Sequence, residues 1–329
     1  MQFLNDEVSS REKLARLTAL TLLLSYIEMI FPRFIPFFRL GLANAVILIS
    51  LELNFALFFL LAVLKAVASS LMGGTLFSPF FLISLAQSVL SAFVMRGVYK
   101  TLSKKLVSLY GISVLGSAVS AAVQIVLSSL YLGQGTFALL GPMLIFNAFS
   151  GIVVAFAAQS DLLTQGGGRE VNAPSASAAL SVEKAPSTSQ IFYIVLLIAG
   201  SAGLFFVKNL YVLAVAFTVS LVLQKISGRR ILLIPHISLW LFIYVSTVFV
   251  PNGEVLFKFW KLTVTQGAVN VALRKALTLS AVSALSQCAV SLKPPAGSLL
   301  ALTLEYYKLM TDEFRKSYKG FIKPSRPAE

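Results

Sequence analysis

The sequence predicts an all-α membrane protein, a six-helix bundle followed by a second helical membrane module that ends in cytoplasmic amphipathic helices. Three observations predict it. Of 329 residues, 57% are hydrophobic and 12% charged, and the mean hydropathy of +0.85 is far above that of an ordinary soluble domain. The apolar residues come in blocks close to ~20 residues long, enough for a helix to cross ~30 Å of hydrocarbon, whereas barrel strands are about half that length and alternate in polarity. A stretch rich in Gly, Ser, Ala and Pro divides the apolar blocks into two sets.

The first set contains six candidate spans: Leu14 to Phe31, Phe37 to Leu53, Phe55 to Leu71, Phe80 to Val98, Leu106 to Leu132 and Leu139 to Ala158. Arg11, Lys13 and Arg16 precede the first block. No small-x-small cleavage site follows it and Glu28 interrupts it, so it is expected to be a retained span rather than a signal peptide. With a cytoplasmic N-terminus, the positive-inside rule places Arg96, Lys100, Lys104 and Lys105 inside, between spans four and five. The uncharged loop from Leu132 to Gly141 then lies outside, as do Arg33 and Arg39, against the rule. Much of the net charge of +14 is explained this way, as topology rather than as affinity for nucleic acid.

Ser160 to Gln190 has no apolar period and reads as a flexible cytoplasmic linker. The domains expected are therefore residues 1–159, a linker at 160–190, and residues 191–329. In the second set, spans are expected at Ile191 to Val207, Leu210 to Ile226 and Ile231 to Val250, with Lys208 and Asn209 in a tight outside hairpin. One long helical stretch is expected from about Val255 to Leu292. The tail, Ser298 to Lys319, is amphipathic: Leu299, Leu302, Tyr306, Leu309, Met310 and Phe314 recur at helical spacing between charged residues. It should lie on the membrane surface or against a partner.

Enzymatic chemistry is hard to place in this inventory. The three aspartates, Asp6, Asp161 and Asp312, are isolated and outside the spans, so the paired carboxylates that hold magnesium diphosphate are missing. No Walker loop occurs, and no convincing nucleophile with its base. One histidine, His236, and one cysteine, Cys288, cannot build a zinc site or an intrachain disulfide. The expectation is a non-enzyme with no catalytic residue, cofactor or metal.

Polar groups inside the apolar blocks remain: Glu28, Asn44, Lys65, Gln87, Gln124 and Asn147, with Arg39 beside the second span. A charge at mid-helix in lipid costs about 2.5 to 3.5 kcal/mol on insertion scales, so such groups face a bundle interior or water. They are the candidate substrate-binding residues; the four amides read equally well as interhelical hydrogen-bond partners worth about 1 kcal/mol or less. Arg33, Arg39 and Lys65 outnumber Glu28, so a cavity there would suit an anionic or amphiphilic ligand. Gly73 and Gly74, in the loop Ser69 to Phe80, allow close backbone approach or a lid. Ala15 and Ala19, one helical turn apart, form a small face of the kind on which helix backbones approach closely.

With these residues laid out, the first half resembles the Gx transporter family, historically labelled component I of heptaprenyl diphosphate synthase. That family is similar to the substrate-binding S components of energy-coupling-factor (ECF) transporters. The resemblance covers Lys13 to about Gln159 and rests on "RLGLANAVIL" (Arg39 to Leu48), "KAVASSLMGGTLFSPFFLISLAQSVLSAFVM" (Lys65 to Met95) and "GISVLGSAVSAAVQI" (Gly111 to Ile125). It departs from the pattern at Lys65, where an arginine is usual, and at Ser120 and Ala121, where a His-Asn pair is usual. The second half more loosely resembles the transmembrane coupling subunit, the T component, through "NVALRKALTLSAVSAL" (Asn270 to Leu285) and "LLALTLEYYKLMTDEFRKSYKG" (Leu299 to Gly320). Its Ala-Arg-Gly or Ala-Arg-Ser signatures do not occur here.

The resemblance implies a multi-pass protein of the bacterial inner membrane with a cytoplasmic N-terminus, the membrane component of an ECF-type ABC uptake transporter. The first half would bind a small vitamin-like or isoprenoid-precursor-like substrate. The second would link it to separately encoded ATPase subunits through Ala15, Ala19, Arg274 and Arg315. The partners implied are substrate, bilayer and ATPases, with no nucleic acid. Two other roles stay open: a non-catalytic subunit or regulator of polyprenyl diphosphate synthesis, and an ATP-independent carrier.

Overall fold

The computed structural model describes residues 10–30, 41–102, 107–159, 188–229, 231, 233–248, 250, 253–259, 262–288, 294 and 297–322. Arg33, Arg39, Lys104 and Lys105 lie outside these residues, as does the expected linker except its last three positions, which already belong to a helix.

The protein is an all-α membrane protein, with eleven α-helices among the described residues. The first half contributes α1 (Ser10–Ile30), α2 (Asn44–Ile49), α3 (Phe55–Gly73), α4 (Pro79–Thr101), α5 (Leu109–Leu132) and α6 (Leu140–Gln159). A 3-10 turn, Gln134–Leu139, joins α5 to α6. The second half contributes α7 (Thr188–Leu204), α8 (Leu210–Ile226), α9 (Leu233–Val248), an antiparallel hairpin of β1 (Val255–Phe259) and β2 (Leu262–Thr265), α10 (Gln266–Gln287) and α11 (Leu299–Ile322).

Five helical segments are long and apolar enough to cross a membrane: Phe55–Gly73, Pro79–Thr101, Leu109–Leu132, Gln134–Gln159 and Gln266–Gln287. α7, α8 and α9 are apolar but shorter, at 17, 17 and 16 residues. α1 is long enough, but Lys13, Arg16 and Glu28 lower its apolar character.

The second expected span is not a full helix. Its described part contains only the six residues of α2, closed by Ser50 N–H bonds to the carbonyls of Val46 and Ile47. The reason is its position: Ala45, Val46, Ile47 and Leu48 are all buried, and irregular backbone is tolerated at membrane depth where protein surrounds it. Arg96 on α4 caps the far end, donating to the carbonyls of Leu51 at 3.2 Å and Leu53 at 2.6 Å. Ala45, Ile47, Leu48 and Leu51 join one core with Leu14, Phe58, Leu61, Met95, Ile112 and Val154.

The expected helix from Val255 to Leu292 is also corrected. Its first part, "VLFKF" and "LTVT", is rich in β-branched and aromatic residues and pairs as a hairpin. The helix starts where the Thr265 hydroxyl accepts from Ala268 N–H, and ends at Gln287. It packs against α7, α8 and α9.

Close approach defines α5 and α6. A Cβ on Gly151 would sit 2.7 Å from Val114 Cα, so only glycine lets these backbones meet, and Ser113 Oγ donates to the Gly151 carbonyl at 2.7 Å. The two halves touch as well. Gln287 donates to the Gly73 carbonyl at 2.8 Å, Ser286 Oγ accepts from Phe77 N–H at 2.9 Å, and Leu132 packs with Leu239, Ile243 and Ala276.

Candidate functional site

Three of the polar residues singled out in the apolar blocks meet at one place. Glu28, near the end of α1, accepts hydrogen bonds from the backbone N–H groups of Gly41 at 3.1 Å and Leu42 at 3.3 Å. Gly41 has φ +68°, a left-handed conformation that glycine adopts without strain, and this turns the chain so that both N–H groups face the carboxylate. Asn44 opens α2 one turn later and accepts from the Lys65 ammonium through Oδ1. Lys65, midway along α3, is also attracted by the Glu28 charge. The result is a partly buried chain, Glu28 to the 41–42 turn on one side and Lys65 to Asn44 on the other.

Each ion keeps the other's desolvation penalty in check, because a buried charge is tolerated when it is paired and hydrogen-bonded. Chemically the cluster offers an ammonium and an amide for an anionic group, with a carboxylate that competes for the same ammonium.

The other expected substrate residues on the described helices make no hydrogen bond to this cluster. Gln87 on α4, Gln124 on α5 and Asn147 on α6 are half-buried. Asn147 donates to the Met143 carbonyl of its own helix at 2.8 Å, and none of the three hydrogen-bonds to the Glu28 cluster among the described residues. Arg39 lies outside those residues.

A second site is formed by α1 and α11. Ala15 and Ala19 are both 0% exposed and carry the ring of Tyr306, itself 1% exposed, with Leu302, Tyr307 and Met310 around it. The register is parallel. Arg11 donates to the Gly297 carbonyl, Arg16 stacks 5.4 Å over the Tyr306 ring, and Arg315 donates to the Tyr26 hydroxyl at 3.2 Å. Three hydroxyls in this seam bond within their own helices: Thr18 to the Leu14 carbonyl, Thr21 to that of Thr18 and Thr303 to that of Leu299. Burial pushes the Tyr307 phenol above its usual pKa. On the opposite face of α11, Lys308, Asp312, Glu313 and Lys316 are exposed.

The four residues expected to couple thus do not form one surface. Ala15, Ala19 and Arg315 lie along the α1–α11 seam. Arg274 is exposed on α10, beside Tyr131 and Lys208. Sequence reading placed Tyr306 in an amphipathic stripe but did not identify it as the residue that fills the alanine face. Its spacing in the tail was the available signal.

Residues 17–161 match the family model described as Heptaprenyl diphosphate synthase component I, the family whose motifs the first half resembles. Residues 191–300 match a model described as Domain of unknown function (DUF8519). No curated protein and no solved structure matches the chain.

Proposed function

We propose that this chain is the membrane component of an ECF-type ABC uptake transporter in the bacterial inner membrane, its first half a substrate-binding module and its second half a coupling module. The observation that carries this reading is the seam between α1 and α11, where Tyr306 of one half covers Ala15 and Ala19 of the other. Small residues let two helices approach closely enough for motion in one to be felt by the other. The exposed charged face of α11 leaves Lys308, Asp312, Glu313 and Lys316 free to meet separately encoded ATPase subunits. In this reading Lys65 and Asn44 receive a small anionic or amphiphilic substrate, vitamin-like or isoprenoid-precursor-like, and Glu28 holds the empty site. Arg39, Gln87, Gln124 and Asn147 complete the substrate-binding set. The N-terminus is cytoplasmic.

Replacing Ala15 and Ala19 together by Trp tests it in membrane vesicles supplied with ATP. Uptake is expected to fall to background while substrate binding stays. Loss of binding in step with uptake, or undiminished uptake, would contradict the coupling role of the seam.

A second reading is favoured by the description of the matching family, which names a component of heptaprenyl diphosphate synthase. The chain would then be a non-catalytic membrane subunit. Purified chain that changes the rate or product length of a soluble prenyl synthase would support that reading over transport.

A further inference from the structure

Away from both sites, the second half meets the end of α5 around a cavity of about 180 Å³. Its lining includes Tyr131, Phe205, Lys208, Arg274, Lys275 and Thr278. Three cations converge here with no carboxylate in the lining, and among the described residues none of the three is paired with an acid. Lys275 is fixed in place: it donates to the Leu132 carbonyl at 2.9 Å and lies 6.0 Å over the Tyr131 ring. Tyr131 is in turn held by an edge contact with Phe205, ring centroids 5.4 Å apart, while the Thr278 hydroxyl donates to the Arg274 carbonyl at 2.9 Å. Arg274 and Lys208 are exposed and have donors to spare.

We propose that this cavity binds a phosphate-bearing anion. Three like charges gathered without a counterion repel one another, and an anion among them removes that repulsion and adds charge-assisted hydrogen bonds. A phosphate group suits the set better than a carboxylate, because it carries up to two negative charges and three acceptor oxygens, one pair of which can take Arg274 bidentately. The cavity is smaller than the ~300 to 1,000 Å³ of drug-sized sites, so it takes a headgroup rather than a whole large ligand. Its surroundings are those of a membrane–water boundary. Phe206 and Tyr211, on either side of Lys208 in the α7–α8 turn, are 84% and 83% exposed, as aromatic residues at the headgroup level are. The phosphate can therefore come from an anionic phospholipid or from a soluble phosphate compound.

The test uses the full chain in detergent, with native mass spectrometry of binding to phosphatidylglycerol, to phosphatidylcholine of the same acyl chains, and to inorganic diphosphate. Wild-type protein is expected to prefer phosphatidylglycerol over phosphatidylcholine, or to bind diphosphate, and the preference should weaken as salt rises. The double variant Lys208→Gln/Arg274→Gln should lose about tenfold in that binding, and Lys208→Arg/Arg274→Lys should keep most of it. Loss confined to phosphatidylglycerol identifies a lipid headgroup, and loss confined to diphosphate identifies a soluble ligand. Both substituted positions are exposed, and the salt dependence of the wild type reports independently of either variant. Absence of any preference in the wild type, or equal binding by the neutral variant, would overturn the proposal.

Discussion

Replacing Tyr306 by Ala removes the large, fully buried side chain at the centre of the Ala15 and Ala19 face. Truncating a buried aromatic to alanine costs about 3 to 5 kcal/mol when the site cannot collapse around the gap. Here it cannot readily do so, because the facing residues are alanines on a rigid helix. The stacking of Arg16 over the ring at 5.4 Å is lost in the same step, a contribution of about 0.5 to 2 kcal/mol. Together these come to about 3.5 to 7 kcal/mol, so at roughly 1.4 kcal/mol per factor of ten the docking of α11 on α1 should weaken roughly 300- to 100,000-fold. Hydrogen exchange read by mass spectrometry measures this directly, since local opening of α11 exposes its amides without unfolding the rest. Protection across residues 299–316 should fall by that factor, while α3 to α6 keep theirs. Tyr306→Phe keeps the ring and should stay within about 1 kcal/mol of wild type. If Tyr306→Ala leaves α11 protected as in the wild type while the bundle remains folded, the seam is not held as described.

Two further perturbations follow from the geometry. Glu28→Gln weakens an acceptor that now holds two backbone N–H groups beside a lysine, and should cost about 1 to 3 kcal/mol in thermal unfolding. Combined with Lys65→Met in a double-mutant cycle, it should show a coupling of about 0.5 to 3 kcal/mol, and strict additivity would separate the two charges. Gly151→Ala brings a methyl within 2.7 Å of Val114 Cα and should destabilise by about 1 to 3 kcal/mol, whereas Gly141→Ala, with open space around it, should be near neutral. Equal melting temperatures for the two variants would refute the close approach of α5 and α6.

The helices that were easiest to read are those where pattern and punctuation agree. α8 runs from Leu210 to Ile226 as the sequence predicts, because Asn209 accepts from Tyr211 N–H at its start and Ser227 and Gly228 stop it. α2 was not legible as a short helix, since its unwinding depends on a carboxylate thirteen residues upstream and on burial by the bundle. The β1–β2 hairpin is not legible because an apolar run of this length reads equally well as the start of a helix, and the β-branched residues of "LTVT" are too few to decide it. At the site, Glu28, Asn44 and Lys65 stood out as polar residues in apolar blocks. That they share one place, and that Gln87, Gln124 and Asn147 do not bond to it, depends on the helix packing. The partner of the alanine face was equally invisible, since Ala15 and Tyr306 are separated by almost the whole chain.

Native mass spectrometry of the full chain, purified gently from its own membrane, tests the central claim most directly. The transport account predicts a complex with ATPase subunits, released by disrupting the α11 face, together with a small anionic or amphiphilic ligand that is lost in Lys65→Met. A chain that emerges without ATPases and bound instead to a soluble prenyl synthase would contradict it.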